Sequence, residues 1–132
     1  VEDCLNNMRA LAENAPLPVV MPVYQDAPLF TSAVCIRANP CKSCPRGEKW
    51  LKLRHEGREY LALSKNCQTM LFAGRPLCFA AEAEKVAAAF YRVDFVYRRY
   101  SPEAAASVWK KVRAFEDVPG CAKGNLVSGG NF

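Results

Sequence analysis

One histidine, His55, is the only imidazole in the chain. It flanks a Glu-Gly pair, a surface setting, so serine or thiol hydrolysis with a histidine base has one weak candidate. No HExxH, P-loop or GxGxxG occurs. Nothing approaches eighteen uninterrupted apolar residues, which excludes a transmembrane helix. There is no internal repeat and no low-complexity linker. The chain opens on Val1 with no charged-then-apolar leader, so it is expected to be part of a longer protein.

Cysteine and local positive charge are what the sequence has. The net charge is +5. Residues 37–65 carry eight basic side chains (Arg37, Lys42, Arg46, Lys49, Lys52, Arg54, Arg58, Lys65) against Glu48, Glu56 and Glu59, so this segment holds the entire excess. Such a field favours an anionic partner such as RNA; a solvated hairpin surface is the structural alternative. Seven cysteines is an odd count, and 51% apolar content is more than a disulfide-dense scaffold usually has. Both features point to a reducing, cytoplasmic setting with liganded or free thiols.

With 132 residues, a single cysteine-rich α/β domain over 1–132 is expected, built as a mixed α+β fold with two to three helices. Asp3 caps a helix to about Asn14, with Leu5, Met8, Leu11 and Ala12 on one face. Four prolines between residues 16 and 28 force extended chain. "PLFTSAVCI" reads as a strand that delivers Cys35 at its end. Trp50–His55 and Arg58–Leu63 form a hairpin on Glu56-Gly57. "TMLFAGRPL" breaks at Gly74-Arg75-Pro76. The stretch 80–90 is helical by composition, and "YRVDFVYRR" is a strand. Its Asp94 calls for an ion-pair partner in Arg92 or Arg98. Ser101-Pro102-Glu103 opens a last helix whose buried stripe is Ala105, Val108, Trp109 and Val112.

Cys35, Cys41 and Cys44 are spaced C-x5-C-x2-C. Four thiolates hold either tetrahedral zinc or an iron–sulfur cluster. The sulfurs of Cys41 and Cys44 can converge on one ion across a tight turn bracketed by Pro40 and Pro45, and the hairpin should bring Cys67 back beside them. Cys78, in the apolar "PLCFAAEAEKV", behaves as a small hydrophobe. Buried thiols or one disulfide are the structural alternative. Zinc ribbons usually present two C-x2-C knuckles, and here the second is missing, which leans towards a cluster. Cys4 is incidental, and Cys121, in the glycine-rich tail, is either incidental or a reactive thiol.

"PLFTSAVC", the cysteines after it, "LSKNCQTMLFAGRPL", "YRVDF" and "GNLVSGG" together resemble, in order, the later part of the bacterial collagenase-like peptidase family. The resemblance covers roughly residues 24–132. It implies an α/β barrel in the whole protein, and hence a partial, barrel-like sheet with a hairpin insertion here. It also implies a 4Fe–4S cluster on four cysteines, and oxygen-independent hydroxylation of RNA or ubiquinone precursors; other members are labelled peptidases, that is, hydrolases. Cys35, Cys44 and Cys67 match the family's cysteines best, and Cys41 less closely. The chain departs from the family in reading "RHEG" where members often read "DRKG", and in lacking a complete amino-terminal barrel. Cys78 is a rival to Cys67 as the fourth ligand.

The expectation is therefore a carboxy-terminal metal-binding domain with a 4Fe–4S cluster, or alternatively zinc, on Cys35, Cys41, Cys44 and Cys67. Lys49, Lys52, Arg54 and Arg58 would guide an anionic substrate, and the partner would be the remainder of a longer chain. The zinc alternative is a structural or interaction module without catalysis, or a peptidase accessory domain.

Overall fold

The structure, a computed structural model, describes residues 5–37 and 47–124. Its elements run α1 (Leu5–Asn14), β1 (Val20–Gln25), β2 (Pro28–Ser32), β3 (Lys49–His55), β4 (Arg58–Lys65), β5 (Gln68–Ala73), β6 (Leu77–Cys78), α2 (Ala80–Ala83), β7 (Phe90–Val93) and α3 (Pro102–Arg113). This is a mixed α+β fold with two sheets. One has three strands in the order β6-β1-β7; the other has four in the order β2-β5-β4-β3. Neither closes into a barrel. No described helix is long and apolar enough to cross a membrane. The chain divides into two compact units, Val1–Asp26 with Pro76–Phe132, and Ala27–Arg75.

In the first unit β1 is central, antiparallel to β6 and parallel to β7. Its Met21, Val23 and Tyr24 are buried with Met8, Phe79, Ala80, Ala83, Val86, Val108 and Val112. Ser101 accepts a hydrogen bond from the Ala104 amide (3.2 Å) and caps α3 as its sequence predicts, with Pro102 in the first turn. Two apolar stripes are narrower than expected: Leu11 is 55% exposed and Trp109 54% exposed. The Asp3 cap lies outside the described residues.

The predicted helix over 80–90 is a single turn. The Tyr91 hydroxyl donates to the carbonyls of Ala83 (3.2 Å) and Val86 (2.9 Å), which a longer helix would need for itself. The amides of Ala89 and Phe90 go to the Val19 carbonyl, drawing the chain into β7. The strand expected over 91–99 ends at Val93 because β1, its pairing partner, ends at Gln25; Asp94 makes the last bond, to the Tyr24 carbonyl (2.8 Å). Asp94 pairs with Arg92 (2.9 Å).

The second unit is an antiparallel sheet. The hairpin forms in the predicted register, from Lys49↔Ser64 to His55↔Arg58. Glu56 (φ 49°) and Gly57 (φ 75°) supply the two positive φ values that a type I′ turn requires. Phe72 is fully buried, 5.7 Å from the Trp50 ring centroid. Gly74 ends β5 where the chain crosses Glu59: its amide bonds the Glu59 carbonyl (2.9 Å), and a Cβ there would lie 2.6 Å from that oxygen.

Candidate functional site

The predicted cysteines fall on three kinds of position. Cys41 and Cys44 lie outside the described residues. Cys35 is half-buried, three residues beyond the end of β2, so it sits past the strand and not on it. Cys67 is exposed in the turn from β4 to β5.

Cys35 and Cys67 belong to one end of the four-stranded sheet. The row Ser32, Thr69, Ser64 and Lys49 crosses that end. Segment 34–37 is fastened to this row. Thr69 Oγ1 donates to the Val34 carbonyl (2.8 Å) and accepts from the Ile36 amide (3.1 Å). The Cys35 sulfur lies 3.5 Å from Ser64 Oγ. Arg37 Nη2 donates to the carbonyls of Gly47 (2.6 Å) and Ser64 (3.2 Å). The two ends of the span that contains Cys41 and Cys44 are therefore clasped together beside Cys35, and Lys65 leads from Ser64 directly into the Asn66-Cys67 turn.

That turn is backbone-strained. Asn66 and Cys67 have φ of 51° and 60°. The other tight turn of this sheet fills the second position with Gly57, whereas here a cysteine occupies it, at a cost of about 1–2 kcal/mol for a side chain in the left-handed region. Strain of this kind collects at functional sites. Arg37 Nε is buried with no hydrogen-bond acceptor among the described residues. A group of thiolates around a metal carries negative charge and needs such donors. The thiol donor set and this cation together fit a zinc ion or an iron–sulfur cluster. Among the described residues no three ligand-type side chains converge on one point, and two of the four predicted thiols lie outside them.

The four basic candidates do not share a face. Register places Lys52 and Arg54 on one side of the hairpin and Lys49 and Arg58 on the other. Arg54 is neutralised by Glu59 across the strands (2.9 Å). Lys49 alone lies in the Ser64 row, at the cysteine end. His55 is exposed, with Glu56 3.8 Å away and no thiol paired to it among the described residues.

A second polar constellation, missed by sequence reasoning, threads the core of the other unit. Asp26 is 7% exposed; its Oδ1 accepts from Arg98 Nε (2.6 Å), and its Oδ2 has no partner among the described residues. The Tyr24 and Tyr100 hydroxyls are 3.0 Å apart. Burial, then the mutual hydrogen bond, pushes the Tyr24 phenol up; burial pushes up Tyr100. Cys121 packs against the buried cluster that holds Cys78, which is 1% exposed and lies in the apolar core, as its sequence setting predicts. Cys121 draws the Cys78 thiol down to about 6 against the opposing desolvation, with help from the Val118 and Ala80 amides. Its proton-sharing partner Cys121 is held up correspondingly. Nothing in the spacing of residues 24, 26, 78, 98, 100 and 121 announces this cluster; Arg98, expected as a partner for Asp94, pairs with Asp26 instead.

The same unit has a groove of about 340 Å³ between β7 and α3. Its polar groups are the Arg113 guanidinium and the Tyr91 hydroxyl, the latter already bound to two carbonyls. It holds no acid, base or nucleophile set.

Compared with protein-family models, with curated proteins and with solved structures, the chain has no significant match.

Proposed function

We propose that this chain is a thiolate-liganded metal-binding domain, holding a 4Fe–4S cluster on Cys35, Cys41, Cys44 and Cys67. In a longer cytoplasmic protein of the collagenase-like peptidase kind, it would serve oxygen-independent hydroxylation of RNA or another anionic substrate. The observation that carries the reading is the Arg37 clasp, which joins both ends of the Cys41–Cys44 span at the sheet end bearing Cys35 and Cys67. The cysteine in a left-handed turn position supports Cys67 as the fourth ligand. Its rival Cys78 already has Cys121 as a partner.

When bound, the cluster supplies one-electron chemistry that no side chain here offers. The chain's own part would be to bring the four sulfurs to one sheet end, with the half-buried Arg37 guanidinium beside Cys35. Lys49 is the basic group positioned to draw an anion towards that end.

Anaerobic purification followed by iron, sulfide and zinc analysis tests the reading. Iron and sulfide in equal amounts, lost together in Cys67→Ser and retained in Cys78→Ser, are expected. Zinc without sulfide would replace the hydroxylation reading with a structural zinc module, and neither metal would overturn both. For the substrate, Lys49→Glu should weaken RNA binding at low salt more than Lys52→Glu; equal affinities would remove RNA from the proposal.

A further inference from the structure

Among the described residues, the first unit carries two thiols that the proposed metal site does not use. They come from opposite ends of that unit's carboxy-terminal segment. A parallel bridge, Leu77↔Ala122, brings them together: the Cys78 amide donates to the Ala122 carbonyl (2.9 Å), and the Ala122 amide to the Pro76 carbonyl (2.8 Å). Cys121 packs against the buried cluster that includes Cys78. Their exposures are unequal. Cys78 is 1% exposed, next to the start of α2, whereas Cys121 is half-buried and reachable. The Cys78 thiol is drawn below its ordinary value, first by Cys121, against the opposing desolvation.

We propose that Cys78 and Cys121 are a redox-active dithiol site whose substrates are low-molecular-weight disulfides, with Cys121 as the entry sulfur and Cys78 as the resolving one. Once Cys78 has lost its proton to solvent, the Cys121 sulfur attacks one sulfur of R–S–S–R as its own proton passes to Cys78. The Cys121–S–R bond forms and one RS⁻ leaves. The Cys78 sulfur gives up its proton to that leaving thiolate and attacks Cys121, forming Cys78–Cys121 and expelling a second RS⁻, which takes up a proton from water. Two electrons pass from the protein sulfurs to the small disulfide, giving one protein disulfide and two RSH, the second proton having come from the protein by way of solvent. The reverse reaction, with excess RSH, restores the dithiol.

The test uses the whole chain, freed of metal by a chelator under anaerobic conditions and equilibrated in glutathione buffers of increasing oxidised fraction. Acid quenching, isotope-coded alkylation and peptide mass spectrometry then read each cysteine separately. Cys78 and Cys121 should lose labelling together at a single midpoint, with a Cys78–Cys121 linked peptide appearing as they do. In Cys78→Ser, Cys121 should instead accumulate a glutathione adduct. The wild-type measurement decides the matter even if that variant does not fold. Absence of the linked peptide at every buffer ratio, or preferential linkage of Cys121 to a cysteine of residues 35–67, would overturn the proposal. Neither result depends on whether Cys35, Cys41, Cys44 and Cys67 hold a metal.

Discussion

The two compact units handle polar side chains in opposite ways. In residues 27–75 the polar groups gather at one end of an open sheet, where Ser64, Thr69 and Arg37 fasten backbone and leave Cys67 in solvent. In the other unit the polar groups run through the core: Asp26 against Arg98, Tyr24 against Tyr100, Cys121 against Cys78. The sheet end offers an exposed thiol, Cys67, that something from outside can reach. The threaded core offers groups that have already chosen each other. Removing one member should therefore have different consequences in each unit, and the sequence conveniently places one tryptophan in each, Trp50 and Trp109, as reporters.

The largest effect is expected from Arg98→Ala. It strands the Asp26 carboxylate, whose side chain is 4% exposed, and leaving a buried charge uncompensated costs about 3–5 kcal/mol. Urea unfolding followed by Trp109 in a Trp50→Phe background should shift to lower midpoint. An unchanged midpoint would mean that the core chain is not held by this pair. For the sheet, Gly74→Ala forces a Cβ against the Glu59 carbonyl and should cost about 1–3 kcal/mol by overpacking, read through Trp50 in a Trp109→Phe background. If both tryptophans report both losses equally, the units unfold as one, and the comparison collapses to a single cooperative body.

Cys67→Gly is expected to act in the opposite direction. Relief of the left-handed strain should stabilise the metal-free protein by about 1 kcal/mol while abolishing metal uptake. A destabilised variant would show that Cys67 is held by packing and not reserved for a ligand. Ser101→Ala should cost about 1 kcal/mol through the lost cap of α3.

The smallest effect is a pH shift at the same helix start. The Glu103 carboxyl is held below its usual range by its own backbone amide and then by the Ser101 hydroxyl. Because its folded pKa is depressed, its contribution is present above the unfolded carboxylate pKa and is lost as pH falls through the folded value. In Ser101→Ala the carboxyl resonance of Glu103 should titrate at higher pH than in the wild type, as NMR would record.

The hairpin and α3 were legible because their signals are local: Glu56-Gly57 between alternating strands, and Ser101-Pro102-Glu103 ahead of a helical stripe. The Ala-rich stretch after Phe79 misled for a physical reason. Its helical propensity is a weak preference, and Tyr91 with Val19 claims the backbone groups that a longer helix would require. Trp109 fits the helical stripe by spacing, yet the buried contacts stop at Val108 and Val112. Cys35 and Cys67 could be named from spacing and the hairpin. The core chain could not, since its members meet only through β1, the Leu77↔Ala122 bridge and the segment after β7.

The Arg37–Gly47 contact turns the stretch between them from an open tether into a ring. For an open tether, the chance that two of its thiols meet falls with the length of chain between them, and a metal would have to supply the missing closure entropy on binding. In a ring pinned to the Ser64 strand, folding has already settled that cost. If the thiols ligate a metal as proposed, Arg37 would influence how tightly it is held without touching it.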